Sequence, residues 1–223
     1  MIGKEKQMSM PPQSNRNVRT RILEEAVRLF SEKGYDGTSI QLIADAVGIR
    51  KPSLLYHFKS KEKLREAVYE RLMVHWKNEL PKLLTENLTD KDRFASIITS
   101  LVKYFLKDIH RSRMSIREML DRPEIVKEIV HDQLNPWIKL TCEYIEMGKQ
   151  NGVVRPDVQA EGYIVHTIIL VLGTVAVGNV LSGLFDNSWN AESQFLEELE
   201  RMLRISLFEP KYLENVGGSD LDC

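Results

Sequence analysis

Cysteine is nearly absent from this chain: two residues in 223, Cys142 and Cys223, the second of them the last residue. Two thiols build no disulfide framework, so the fold must be held by burial. At this length one mid-sized domain, or a small domain joined to a larger one, buries enough surface to manage that. Strand-like alternation bounded by turn residues is missing throughout, which excludes a β-rich architecture. No cationic segment followed by an apolar run opens the sequence, so no secretory leader is expected and a reducing, cytoplasmic setting is. Also lacking are a Gly-rich phosphate loop, a His/Cys cluster at metal-ligand spacing, and a Ser or Cys beside an evident base. Glu197, Glu198 and Glu200 read as a solvated helix face, and Cys142 as a small buried hydrophobe rather than a redox sensor. The expectation is a non-enzyme with no metal and no cofactor.

What is present is ordinary globular material, 43% hydrophobic and 28% charged residues, with a formal net charge of −1. That near-neutrality conceals a division. Residues 1–65 contain 13 Lys/Arg against 7 Asp/Glu, whereas the remainder contains 18 against 25. A basic front and an acidic back suggest that the first part meets a polyanion while the larger part does something else.

Residues 1–15 show no apolar periodicity and carry Pro11-Pro12, the pattern of a tail. Asn17 then suits the N-cap of a helix whose apolar stripe is Ile22, Ala26, Leu29 and Phe30, closed by Gly34. Thr38 or Ser39 caps a second, short helix with Ile40, Ile43, Ala44 and Val47 on one face, and Gly48 ends it. A third short helix opens at Arg50-Lys51-Pro52-Ser53 and ends near Tyr56-His57-Phe58. Ser60 caps a fourth, running from Lys61 to about Leu80, where Pro81 kinks or ends it. Helical periodicity continues with a Phe94–Phe105 stripe, a short Met114–Leu120 segment, Ile125 to about Gln150 with Pro136 inside, Asp157–Leu184, and Ala191–Phe208. The reading is all-α with about nine helices. It divides into a tail (1–15), a helix-turn-helix domain (16–62), a helical effector-binding and dimerisation domain (63–210) and a C-terminal tail (211–223).

Two short helices joined by a Gly turn, the second opening on two bases, a proline and a serine, form a helix-turn-helix pattern. Phosphates call for basic and hydroxyl side chains, and base edges call for short side chains where the backbone comes closest to the groove. The run ILEEAVRLFSEKGYDGTSIQLIADAVGIRKPSLLYHFKSKEKL, with its LF…GY, TS…IA…VGI and LYHF…K elements, resembles the DNA-binding segment of the tetracycline-repressor (TetR/AcrR-type) family of transcriptional regulators. The likeness covers roughly residues 18–70. It implies an all-helical homodimer in which three N-terminal helices bind a palindromic double-stranded operator. A divergent C-terminal bundle then dimerises and holds a small effector. Carried onto this chain, phosphate contacts fall on Thr38, Ser39, Tyr56, His57 and Lys61, and base contacts on Gln41, Lys51, Pro52 and Ser53, with Arg50 at the edge. Two departures stand out. Arg50 occupies a position where many members have a small capping residue, and Leu55 one where an aromatic is common. For Tyr56 and His57 a packing role stays open beside phosphate contact, and Arg16, Arg19 and Arg21 are either solvated or part of a DNA-contacting arm.

Gly162 to Phe185 is a run of 24 residues without Asp, Glu, Lys or Arg, long enough to span a bilayer. His166, Asn179 and four glycines interrupt it, and acidic Glu161 and Asp186 flank it, without the cationic excess or aromatic belts of a span. A helix buried on most sides of a bundle has the same composition. Gly173, Ala176 and Gly178 would let a second copy approach closely, so a homodimer seam is expected there, shared with Leu199 and Leu203. No membrane partner is expected. Phe105, His110, Met114, Arg117, Met119, Trp137, Tyr144, Met147, His166 and Ile169 supply the aromatic, Met and sparse polar groups of a pocket for an apolar or amphipathic effector, though they suit an ordinary core equally well. Two functional classes result. One is an effector-released dimeric repressor. The other is a helical interaction protein of the same fold that acts through a protein or membrane partner.

Overall fold

Apolar residues spaced three and four apart close into nine α-helices among the described residues of the computed structural model, which are 18–85, 90–184 and 191–213. The expected tail, the Asn17 cap and Arg16 lie outside them, as does all of the C-terminal tail beyond residue 213. α1 (Val18–Lys33), α2 (Ile40–Val47) and α3 (Lys51–His57) come first, and α4 (Lys61–Thr85) leads out of them. Then follow α5 (Asp90–Leu106), α6 (Ile109–Asp121), α7 (Pro123–Gln150), α8 (Ala160–Leu181) and α9 (Ala191–Leu207).

Several ends differ from their sequence expectation. Pro81 sits inside α4 and does not stop it, because Leu80, Leu83 and Leu84 are all buried and their packing outweighs the one backbone bond that proline forfeits. α6 starts at Ile109, where the Asp108 carboxylate accepts from the His110 N–H at 3.1 Å. α8 starts at Ala160, since Asp157 is engaged with Arg155 at 2.9 Å, and it ends in a short 3₁₀ turn, Ser182–Leu184.

Three clusters make the core. The first joins Ile22, Ala26 and Phe30 of α1 to Ile43 and Val47 of α2, Leu54 of α3 and Leu64, Val68, Tyr69 and Leu72 of α4. The second gathers Trp76 and Leu80 of the same α4 with Ile98, Val102 and Phe105 of α5, Val171, Leu172 and Val175 of α8, and Leu199 and Leu203 of α9. The third closes the far end around Phe94, Ile145, Val154 and Phe208. α4, about 37 Å long at 1.5 Å per residue, therefore belongs to two cores, and a boundary at residue 62 cuts across a continuous helix.

A buried ionic cluster fixes that junction. Glu118 of α6 is 1% exposed and accepts from Arg65 of α4, itself buried, and from Arg122. Arg65 also reaches Asp121 at 2.9 Å, and Arg122 pairs with Glu62. The Lys61 ammonium and the Arg65 guanidinium lie over the Tyr35 ring, 4.0 and 4.6 Å from its centroid, so the α1–α2 turn is held by the same group. Farther along α6, Arg117 donates to the Ser31 carbonyl at 3.0 Å, and Ser31 and His110 are 2.8 Å apart. The same helix is tied to α8, where Ser112 and Arg113 donate to the Leu172 and Ala176 carbonyls at 2.6 and 3.0 Å.

Removing one partner of such a buried group strands the rest without counter-charge. Glu118→Ala is expected to lower stability by about 3–5 kcal/mol in urea unfolding; a midpoint equal to that of the wild type would contradict the assignment.

Candidate nucleic-acid interface

The turn between α2 and α3 is built around Gly48, whose φ of 75° lies in the left-handed region. Its N–H donates to Asp45 and that of Ile49 to Ala44, at 3.0 and 2.9 Å, which satisfies the carbonyls left over at the end of α2. At the start of that helix the Ser39 hydroxyl accepts from the Leu42 N–H at 3.0 Å. Leu54 and Phe58, one turn apart, are buried against α1 and α4 and set the roll of α3. With that face taken, the other points outward. Lys51, Pro52 and Ser53 are exposed in its first turn, and Arg50 stands before them without making a side-chain cap. Tyr56, one turn on, is 80% exposed, with the half-buried His57 ring against its edge at 5.5 Å. Ser39 and Gln41 are exposed at the start of α2, and Gln41 donates to Asp45 at 2.7 Å.

Eight of the ten residues expected at DNA are thus solvent-facing in whole or in part along α2 and α3. Two are corrected. Thr38 is fully buried, and its hydroxyl proton is shared by the Gly34 and Leu29 carbonyls at 2.8 and 3.1 Å, so it clamps the α1–α2 turn. Lys61 donates to the Tyr35 carbonyl at 2.7 Å and lies on that residue's ring, so its charge is committed within the protein. Of the N-terminal arginines, Arg21 donates to the Val47 carbonyl and Arg19 lies 5.0 Å over the Phe58 ring. Both brace the helix-turn-helix against α1.

Residues 22–68 match the family described as bacterial regulatory proteins, tetR family. The biofilm operon icaADBC HTH-type negative transcriptional regulator IcaR of Staphylococcus aureus is 51% identical over 195 residues, which cover 85% of this chain and 99% of that one. The regulator of that name in Staphylococcus epidermidis is 30% identical over 193 residues, with the same coverage. This chain belongs to the TetR family. Among solved structures, the ketosteroid transcriptional regulator KstR2 of Mycobacterium tuberculosis superposes with a TM-score of 0.69 at 16% identity, covering 88% of this chain and 97% of that one. FadR of Bacillus subtilis, solved with stearoyl-CoA, gives 0.64 at 15%, covering 83% and 97%. At those identities the likeness shows the fold: a TetR-type helix-turn-helix unit on a helical C-terminal part. The chain is accordingly a DNA-binding transcriptional regulator of the TetR family.

The ten residues expected around an effector do not converge on one cavity. Met114 belongs to the first core cluster, and His110 and Arg117 tie α6 to α1. Met119, Met147, His166 and Ile169 face outward. Phe105 and Trp137 pack in the second cluster, while Tyr144 bonds to the Leu84 carbonyl at 3.4 Å. Aromatic and Met content marks a helix as buried somewhere, but it does not say against which neighbour. The residues expected at the seam divide in the same way. Leu199 and Leu203 are buried inside the chain's own bundle and Ala176 is 2% exposed, whereas Gly173 and Gly178 are half-buried. Cys142 is half-buried, and burial pushes its thiol up, away from the reactive range. Reading the sequence missed the ionic cluster, although Glu118 and Arg122 stand at i, i+4 and signal half of it.

Nothing lies within 4 Å of a β-carbon built on Gly48, so a substitution there meets backbone strain alone. Gly48→Ala is expected to lower the thermal midpoint through a cost of about 1–2 kcal/mol, and to loosen the angle between α2 and α3. Unchanged stability would show that the turn accepts another geometry.

Proposed function

We propose that the chain is a homodimeric repressor that holds a palindromic operator with two copies of α3 and is released by a small apolar or amphipathic effector. The observation that carries this is the outward first turn of α3, Arg50-Lys51-Pro52-Ser53, with Tyr56 beyond it, on a helix locked from behind by Leu54 and Phe58. Lys51 suits the guanine acceptors and Pro52 a thymine methyl, while Tyr56, Ser39 and His57 suit phosphates. Repression is favoured because the relatives at 51% and 30% identity are negative transcriptional regulators.

A single short recognition helix reads few base pairs, and a two-fold pair reads a palindrome. The face for pairing lies on α8 and α9. Val165, Ile169, Val177, Val180 and Leu181 are exposed along α8, with Gly173 in line, and Met202 and Ile205 are exposed on α9. His166, Met202 and Ile205 line one groove between the two helices. α8 is long and apolar enough to cross a membrane over Ala160–Gly178, and 39% of that stretch is buried. A second copy laid on the open side accounts for the remainder. For the effector, the interior of the second cluster is favoured. The Trp76 indole N–H is buried there with no hydrogen-bond partner among the described residues, and neighbouring structures hold stearoyl-CoA and choline.

Duplexes selected from a random pool by the wild-type protein provide the operator for two tests. Lys51→Ala with Tyr56→Phe is expected to weaken binding at least about tenfold, near 1–3 kcal/mol, and to make the salt dependence shallower. Equal affinity and equal slope would favour the interaction-protein reading. Separately, Ile169→Glu is expected to convert a particle of twice 25.8 kDa into one of 25.8 kDa in sedimentation, with operator affinity falling alongside. A mutant that keeps the wild-type mass would remove α8 from the seam.

A further inference from the structure

A cavity of about 500 Å³ lies where the DNA-binding helices meet the bundle, and none of the ten residues expected around an effector lines it. Its apolar base is Val27 of α1 and Leu72 of α4, both buried. Its aromatic wall is His75 of α4 stacked on Tyr104 of α5, ring centroids 4.0 Å apart and planes 6° from parallel. The Arg111 guanidinium lies 4.6 Å over the same tyrosine ring and donates to the Tyr104 carbonyl at 3.1 Å. A ring has two faces, and a stacked imidazole fills one, so Arg111 takes the other. The wall is thereby fixed from both sides.

The charges around the cavity are unequally matched. Glu24 pairs with Arg71 at 3.6 Å, Asp108 with Arg111 at 3.6 Å, and Glu79 with Lys82 at 3.5 Å. Lys103 in the last turn of α5 and Lys107, just past its end, also line it, both exposed, and among the described residues neither has an ion pair or a side-chain hydrogen bond. Every acid at the site is therefore taken and two cations are left over. Burial holds His75 below the ordinary imidazole range, which keeps the stack uncharged at neutral pH.

We propose that this cavity is a binding site for a small planar organic anion, its carboxylate or sulfonate held by Lys103 and Lys107 and its ring laid over Leu72 against His75 and Tyr104. A volume of this size suits such a ligand, and an apolar floor with a few convergent charges selects for an amphipathic anion over a bare one. No buried residue of the second cluster lines the site, and it spans α1, α4, α5 and α6, so an occupant touches the DNA-binding part and the bundle at once. The proposal does not depend on repression or on dimerisation, and its test needs no operator.

Isothermal titration of the full chain with 2-naphthoate and with 2-naphthol separates charge from ring. The naphthoate is expected to saturate and to bind about tenfold or more tighter than the naphthol. In the Lys103→Gln/Lys107→Gln double variant that advantage is expected to vanish, while naphthol binding stays as in the wild type. Both lysines are exposed and unpaired, so folding is unaffected by their loss; the naphthoate–naphthol comparison in the wild type decides the matter even without the variant. Equal binding of the two probes, equal naphthoate binding by both proteins, or no saturable heat up to millimolar concentration would each overturn the assignment.

Discussion

One carboxylate with almost no access to water sets the relation between the two ends of this molecule. Glu118 is buried against the guanidiniums of Arg65 and Arg122, and loss of either side would leave the other without its partner. The price of desolvating such a cluster is high, and its return is geometric more than energetic. It fixes α6 against the N-terminal half of α4, and through Lys61 and Arg65 it grips Tyr35 at the entrance to the helix-turn-helix. An apolar contact of the same area can slide by a fraction of a turn. A set of directed hydrogen bonds cannot, so the orientation of α2 and α3 relative to the bundle is specified.

The helix-turn-helix was legible in the sequence because its determinants are local. Gly48 at a left-handed turn, Ser39 at a cap, and apolar residues at i, i+4 each act within a few positions. Errors arose where the same residue type serves two masters. A threonine just before a helix caps it or donates into the turn behind it, and Thr38 does the latter. Lysine at the start of α4 looks like a phosphate ligand until the Tyr35 carbonyl and ring are seen beside it.

Farther along, the limit is different in kind. α8 is apolar on every side, so its composition cannot say which side its own chain covers. Tertiary packing decides it. Val171, Leu172 and Val175 turn inward, and Val165, Ile169, Val177 and Val180 do not. In α9, Leu199 and Leu203 are the inner face of an amphipathic helix and Met202 and Ile205 part of its outer face, one residue and two residues away. An effector pocket is less legible still, because it is a property of how four or five helices diverge and not of any one periodicity.

α6 gathers these threads. It donates from Arg117 to α1 and from Ser112 and Arg113 to successive turns of α8. At thirteen residues it is about 20 Å long, so its attachments to α1 and α8 lie close together along one short helix. If α8 shifts where it would face a second copy, α6 would carry the shift to Ser31 and the end of α1, and α1 shares a core cluster with Leu54 of α3. In the proposed dimer two recognition helices would have to keep to the spacing of the duplex groove, about 34 Å per turn, and a small rotation at each α6 would be doubled across the two-fold axis. The polar ties of α6 to α1 and to α8 make the bundle and the groove-facing surface one mechanical unit. Under the proposed effector control, a ligand that prefers one setting of that unit would alter DNA affinity without touching α3.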